Sequence, residues 1–199
     1  MKKYWLLLLA CPMFCLHAQQ WNAAQSEAFQ KELNADYANA KQSPLEETDL
    51  KVFKGLDFYP INSKFAVEAH FVKSENEKAF KMKTTSSRLP EYVKYGELRF
   101  TLDGKKLKLN IYQSVDLVKK PGYENHLFLP FSDLTCGKQS YIGGRYIDML
   151  VPTSDKVLID FNQAYNPYCA YNHNYSCPIV PLENDLDVEI LAGVKKFHD

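Results

Sequence analysis

The sequence lacks an excess of either charge: 24 lysines and arginines stand against 24 aspartates and glutamates. That excludes the basic stripe that nucleic acids and anionic membrane surfaces require of a partner. It also lacks every compact catalytic signature. There is no Gly-rich phosphate loop, no Gly-x-Ser-x-Gly, no His-Glu-x2-His and no kinase-type pattern, so no motif assigns a reaction. No internal repeat or low-complexity tract occurs. What is present is a chain of 199 residues, 46% hydrophobic and 14% aromatic, which is enough for a folded domain with a real core.

The N-terminus reads as a targeting segment. Two lysines precede an apolar run from Tyr4 to about Leu16, and a small residue, Ala18, follows at a plausible cut. The run stops short of the roughly 20 residues a membrane-spanning helix needs. The expectation is therefore a signal peptide over residues 1–18, an exported (periplasmic or secreted) bacterial protein starting at Gln19, and no transmembrane segment after cleavage. The rival is lipid anchoring at Cys11 within "LLAC". Cleavage leaves Cys136, Cys169 and Cys177, an odd number in a compartment where disulfides persist.

Residues 19–199 read as a single β-rich domain. Phe29, Leu33 and Tyr37 share a stripe at helical spacing, and Pro44 to about Phe53 reads as a short second helix. From Phe65 the period changes to two. The clearest piece is "GELRFTLDGKKLKLNIYQ", where alternating strands flank Asp103-Gly104, a strong hairpin signal. Further strands are expected at 126–131, 145–151, 156–161 and 187–193. The fold class is mainly β: a single bent antiparallel sheet, a sandwich or a barrel with an N-terminal helical arm.

Two polar segments break the alternation, Pro130–Met149 and Asp160–Asn184. A hairpin between 145–151 and 156–161 would bring Arg145 and Asp148 near Asn162 and Tyr165. Arg145 follows Gly143-Gly144, which permit close backbone approach, and a guanidinium there would suit a carboxylate or phosphate. The competing assignment is an internal ion pair with Asp148 or Asp160. Cys169 and Cys177 bracket a stretch of Asn, Tyr, Ala, His and Ser. Export favours a disulfide between them, worth on the order of 2.5 kcal/mol. Free buried thiols, or a zinc set with Cys136 and His173, are the alternatives; no metal and no other cofactor is expected.

The C-terminal half resembles the bacterial and archaeal family known as domain of unknown function 1684. The matching pieces are "LPFSDLTCGKQSYIGGRYIDM" and "VLIDFNQAYNPYCAYNHNYSCPIVPLENDLDVEILAGVK". The resemblance implies that Tyr141, Gly144, Arg145, Tyr146, Asp148, Asp160, Asn162, Tyr165, Asn166, Pro167, Cys169, Cys177, Pro178, Glu183 and Asn184 carry the family pattern; Cys136 and His173 fall outside it. Three functions follow as expectations. One is binding of a small polar or anionic ligand, with Arg145 as clamp and Tyr141, Asn162, Tyr165, Asn166 and Asn184 around it. The second is a hydrolase-like enzyme with Asp148, Asp160 or Glu183 as acid or base. The third is a structural role, in which Asn and Asp side chains satisfy their own loop backbone.

Overall fold

The structure, a computed structural model, describes residues 21–198. The expected signal peptide and the lipidation site at Cys11 lie outside the described residues. Helix α1 spans Ala23–Ala38, capped by the Asn22 side chain, which accepts from the Ala24 amide. The expected second helix shrinks to one turn, α2, Glu47–Leu50.

Eight strands follow: β1 (Ala66–Lys73), β2 (Phe80–Lys81), β3 (Glu91–Leu102), β4 (Lys105–Ser114), β5 (His126–Asp133), β6 (Arg145–Leu150), β7 (Lys156–Asp160) and β8 (Asp185–Leu186). They form a single curled sheet, a half-barrel in the order β6-β5-β4-β3-β1-β7; β2 adds to β3. All the main pairings are antiparallel, and only the short β5–β8 pair is parallel. The sandwich alternative is not what the strands form. Asp103 and Gly104 both have positive φ, 51° and 74°. A two-residue turn of the type that matches strand twist requires that geometry.

The expected β6–β7 hairpin does not exist. β6 pairs with β5 and β7 with β1, so the two strands occupy opposite ends of the sheet. The curl brings those ends back toward each other. Just after β7, Tyr165 bridges to Tyr146 of β6, through mutual backbone bonds of 2.9 and 3.0 Å. Segment 187–193 alternates as expected, with Val188, Ile190 and Ala192 buried. It is nonetheless not a strand, because no neighbouring backbone ladder receives it.

The two faces of the β5–β6 pair do different work. Leu127, Leu129, Phe131, Arg145 and Ile147 point into the main core, together with Leu98, Leu109, Ile111, Ile159 and Phe161. On the other face Phe128 and Tyr146 pack with Met82 and Tyr112 into a second cluster. Helix α1 and the loops after β7 lie over that second face.

Candidate functional site

Strand period two decides which predicted residues can meet. Arg145 and Asp148 are three apart on β6, so their side chains leave opposite faces. Arg145 faces the core and is fully buried. Its guanidinium donates to Asp133 Oδ2 at 2.7 Å, Ile190 O at 2.9 Å, Thr135 Oγ1 at 3.5 Å and the Ala192 carbonyl. It also lies over the Phe131 and Tyr59 rings, 5.2 and 5.9 Å from their centroids. The internal ion pair is thus real, but its acid is Asp133 rather than Asp148 or Asp160. The clamp expected for an anionic ligand is closed off from solvent and already paired. Gly144 serves this packing: at φ +83°, a Cβ there would fall 2.5 Å from the Phe131 carbonyl.

The other buried polar residues join pieces of backbone. Asn184 accepts from the Asn110 amide at 2.8 Å and donates to Asn110 O and Pro130 O at 2.8 and 2.6 Å. Its side chain stitches β4 to β5 where the two strands part. Asn162 exchanges two bonds with the Asn62 backbone, and Asn166 donates to Lys195 O. Asp160 accepts from five donors: the Trp21 indole, the Ser26 hydroxyl, the Gln163 amide, and the backbone and side chain of Asn162. Together with Gln30, which donates to Asn162 O, these bonds dock α1. Glu183 is exposed. None of these five residues enters a pocket with Arg145.

Asp148 and Tyr165 do come together, as the sequence implied. The Tyr165 hydroxyl donates to Asp148 Oδ2 at 2.9 Å, and His126 Nε2 lies 3.0 Å from Asp148 Oδ1. This trio edges a cavity of about 400 Å³ between the second sheet face and its cover. The sheet supplies Tyr92, Phe128 and Tyr146; α1 supplies Phe29 and Leu33; the loops supply Tyr168, Cys177 and Pro178. Successive ring centroids run Tyr92–Phe128 5.7 Å, Phe128–Tyr146 4.7 Å, Tyr146–Tyr165 5.9 Å and Tyr165–Phe29 6.5 Å, an unbroken aromatic wall. Burial raises the phenol pKa values of Tyr92, Tyr146 and Tyr165, with Asp148 adding to the shift at Tyr165. These hydroxyls are neutral donors. Tyr146 donates to the Pro178 carbonyl.

Sequence reasoning missed His126, Phe128 and Tyr92 as site residues. The signal lay in "HLFLPF": an apolar run on both faces of a strand marks a sheet covered on both sides, so the second face needed occupants.

Cys169 and Cys177 are unbridged in the structure. They are nevertheless neighbours, since the Cys169 amide donates to Cys177 Sγ at 3.1 Å. A hydrogen bond from Cys177 is the main cause that lowers the Cys169 pKa to about 6; the contact with Tyr141 also lowers it. Tyr141 lies 3.8 Å from Cys169 Sγ, and burial pushes its phenol up to about 12. Cys136 belongs to another turn, where its sulfur accepts from the Asp133 amide. Among the described residues no group of three or more His, Cys, Asp or Glu is placed to hold a metal ion. No helix there is long and apolar enough to cross a membrane.

A larger concavity, about 690 Å³, is lined by Lys64, Lys138, Lys195 and Lys196 beside Asp57. Lys64 pairs with Asp103 and Lys195 with Asp57. Of the residues the sequence singled out, none lines it; Asn162, Asn166 and Arg145 only contact its lining residues Asn62, Lys195 and Tyr59 from behind.

The model of a family described as "Protein of unknown function (DUF1684)" matches residues 51–195. The chain is also similar to the solution NMR structure of an uncharacterized protein from Haloarcula marismortui. The two share 31% sequence identity over 87% of this chain and 93% of that one, with a TM-score of 0.68. No curated protein matches.

Proposed function

The chain belongs to the DUF1684 family, and on that premise we propose that it is a small-ligand-binding half-barrel whose site is the aromatic cavity beneath α1. The observation that carries this is the convergence of three polar groups, Asp148, His126 and Tyr165, on an otherwise aromatic wall. A concave apolar pocket with a few orienting polar groups is the usual build of a small-molecule site. The rings supply contact area, and the trio fixes orientation. The ligand meets Asp148 and Tyr165 from the set nominated by the sequence, and Arg145 holds the scaffold rather than the ligand.

The His126–Asp148 contact also invites an acid–base reading. Two observations weigh against it. His126 Nδ1 is buried and has no partner, so no substrate reaches it. Asp160 is fully engaged by hydrogen bonds to its neighbours and Glu183 stands outside the cavity. Binding is therefore the better reading. We extend the proposal to export, supported by the lysine-led apolar start, and to a Cys169–Cys177 disulfide as the oxidised form, supported by their adjacency. Intact-mass measurement of protein from its native host tests both.

A thermal-shift screen of metabolites tests the site. Hits should raise the melting temperature of the wild type and lose that effect in Tyr168→Ala, which removes a half-exposed ring from the rim. If every hit acts equally on both proteins, the cavity is not the site.

A further inference from the structure

We infer that the occupant of the aromatic cavity is an organic cation, a quaternary ammonium or a protonated amine, held against ring faces and opposite Asp148. This rests on the cavity being the ligand site. The residues lining it include one carboxylate, Asp148, and neither lysine nor arginine. Asp148 receives two hydrogen bonds, yet its side chain is 52% exposed. A carboxylate has about four lone-pair sites, so both charge and acceptor capacity remain on its open side.

The wall completes the complementarity. A ring face carries negative potential and attracts a cation within about 6 Å of its centroid. Tyr92, Phe128, Tyr146 and Tyr165 all line the cavity and stand 4.7 to 5.9 Å apart in succession, so more than one ring is within reach of a single ammonium group. The surrounding charges agree. Asp36 and Asp148 both act on the rim phenol of Tyr168. The cation felt at Tyr92 is Arg88, which is not part of the lining and is tied to Ser176, with Nη2 2.7 Å from the carbonyl and Nε 3.2 Å from the hydroxyl. An anion would meet the carboxylate and the rings with no lysine or arginine in the lining to offset them. A neutral ligand would leave the exposed side of Asp148 without a charged partner.

Three probes of one shape separate the classes: choline, its neutral carbon isostere 3,3-dimethylbutan-1-ol, and the anion 3,3-dimethylbutanoate. Isothermal titration of the purified protein should give choline about tenfold tighter binding than the alcohol, with the anion weakest. Asp148→Asn, nearly isosteric at an exposed position, should weaken choline far more than the alcohol and so bring the two close together. Tyr168→Ala should weaken both. Choline binding no tighter than the alcohol, weaker than the anion, or not at all overturns the cation assignment. The cavity reading survives that result if Tyr168→Ala still weakens whatever binds. Choline binding indifferent to both substitutions overturns the cavity itself.

Discussion

The β3–β4 hairpin and the segment from 160 to 194 solve the backbone problem in opposite ways. In the hairpin, paired residues run from Tyr92↔Ser114 to Leu102↔Lys105, and each strand satisfies the other. The only irregularity falls between Lys94 and Gly96, and a Cβ at Gly96 would lie 2.3 Å from the Phe71 ring. In the later segment, buried side chains alternate only from Asn184 to Ala192, and apart from the two-residue β8 pair and isolated bridges it forms no ladder. The Ile190 amide donates to Asp133 Oδ1, and Arg145 takes the carbonyls of Ile190 and Ala192. Asn162 and Asn166 do the same for other loops, and Asn184 for the backbones of β4 and β5. Buried backbone groups need partners whatever the secondary structure. Dense Asn, Asp and Arg in a loop therefore first signal backbone pairing, and only afterwards a ligand.

The sharpest way to break this contrast is Arg145→Ala. It leaves Asp133 as an uncompensated buried charge and frees two buried carbonyls, so unfolding stability should fall by about 3–5 kcal/mol. Thr101→Ala, on the exposed face of the hairpin, should stay within about 0.5 kcal/mol. Urea denaturation of both variants measures the difference; equal costs would show that the guanidinium is not holding the C-terminal segment. Asn184→Ala comes next. It orphans the Asn110 amide between β4 and β5, a loss of about 1–3 kcal/mol for an unsatisfied buried group. Amide hydrogen exchange at Asn110 should speed up in that variant, and an unchanged rate would mean the side-chain stitch is dispensable.

The hairpin was fully legible, because Asp103-Gly104 and the flanking alternation are local signals. So was the pairing of Tyr165 with Asp148, though for a different reason from the one the sequence suggested. The expected link was a hairpin, whereas the actual link is the curl of the sheet, which returns the end of β7 to β6. Curl depends on distant strands and has no local signature. The grouping of Arg145 with Asp148 failed on a rule the sequence did contain, since an odd spacing on a strand separates faces. His126 was legible only as a strand opener. Its role needs Asp148 next to Phe128 across the strand pair, a register fixed by partner strands rather than by its own neighbours.

The last effect is carried by the thiols, the part of the later segment that pairs with itself. In the fold, Cys169 shares the proton of Cys177. Its pKa is lowered to about 6, while that of Cys177 is pushed up because its proton is held against the neighbouring thiolate. In the unfolded chain both titrate near the ordinary thiol value of about 8.5. Between these values the unfolded state binds more protons than the fold, so stability rises with pH from about 6 to about 8.5. Above that window the unfolded chain loses a proton that folded Cys177 retains, and the trend reverses. Urea midpoints of the reduced protein, taken across pH 6 to 9 and compared with Cys169→Ser, isolate this contribution from other titrating groups. The difference between the two proteins should grow up to the top of the window and then shrink. Oxidation to the Cys169–Cys177 disulfide removes both thiol protons and should flatten the curve. A difference that is flat in the reduced protein would mean the two sulfurs do not share a proton.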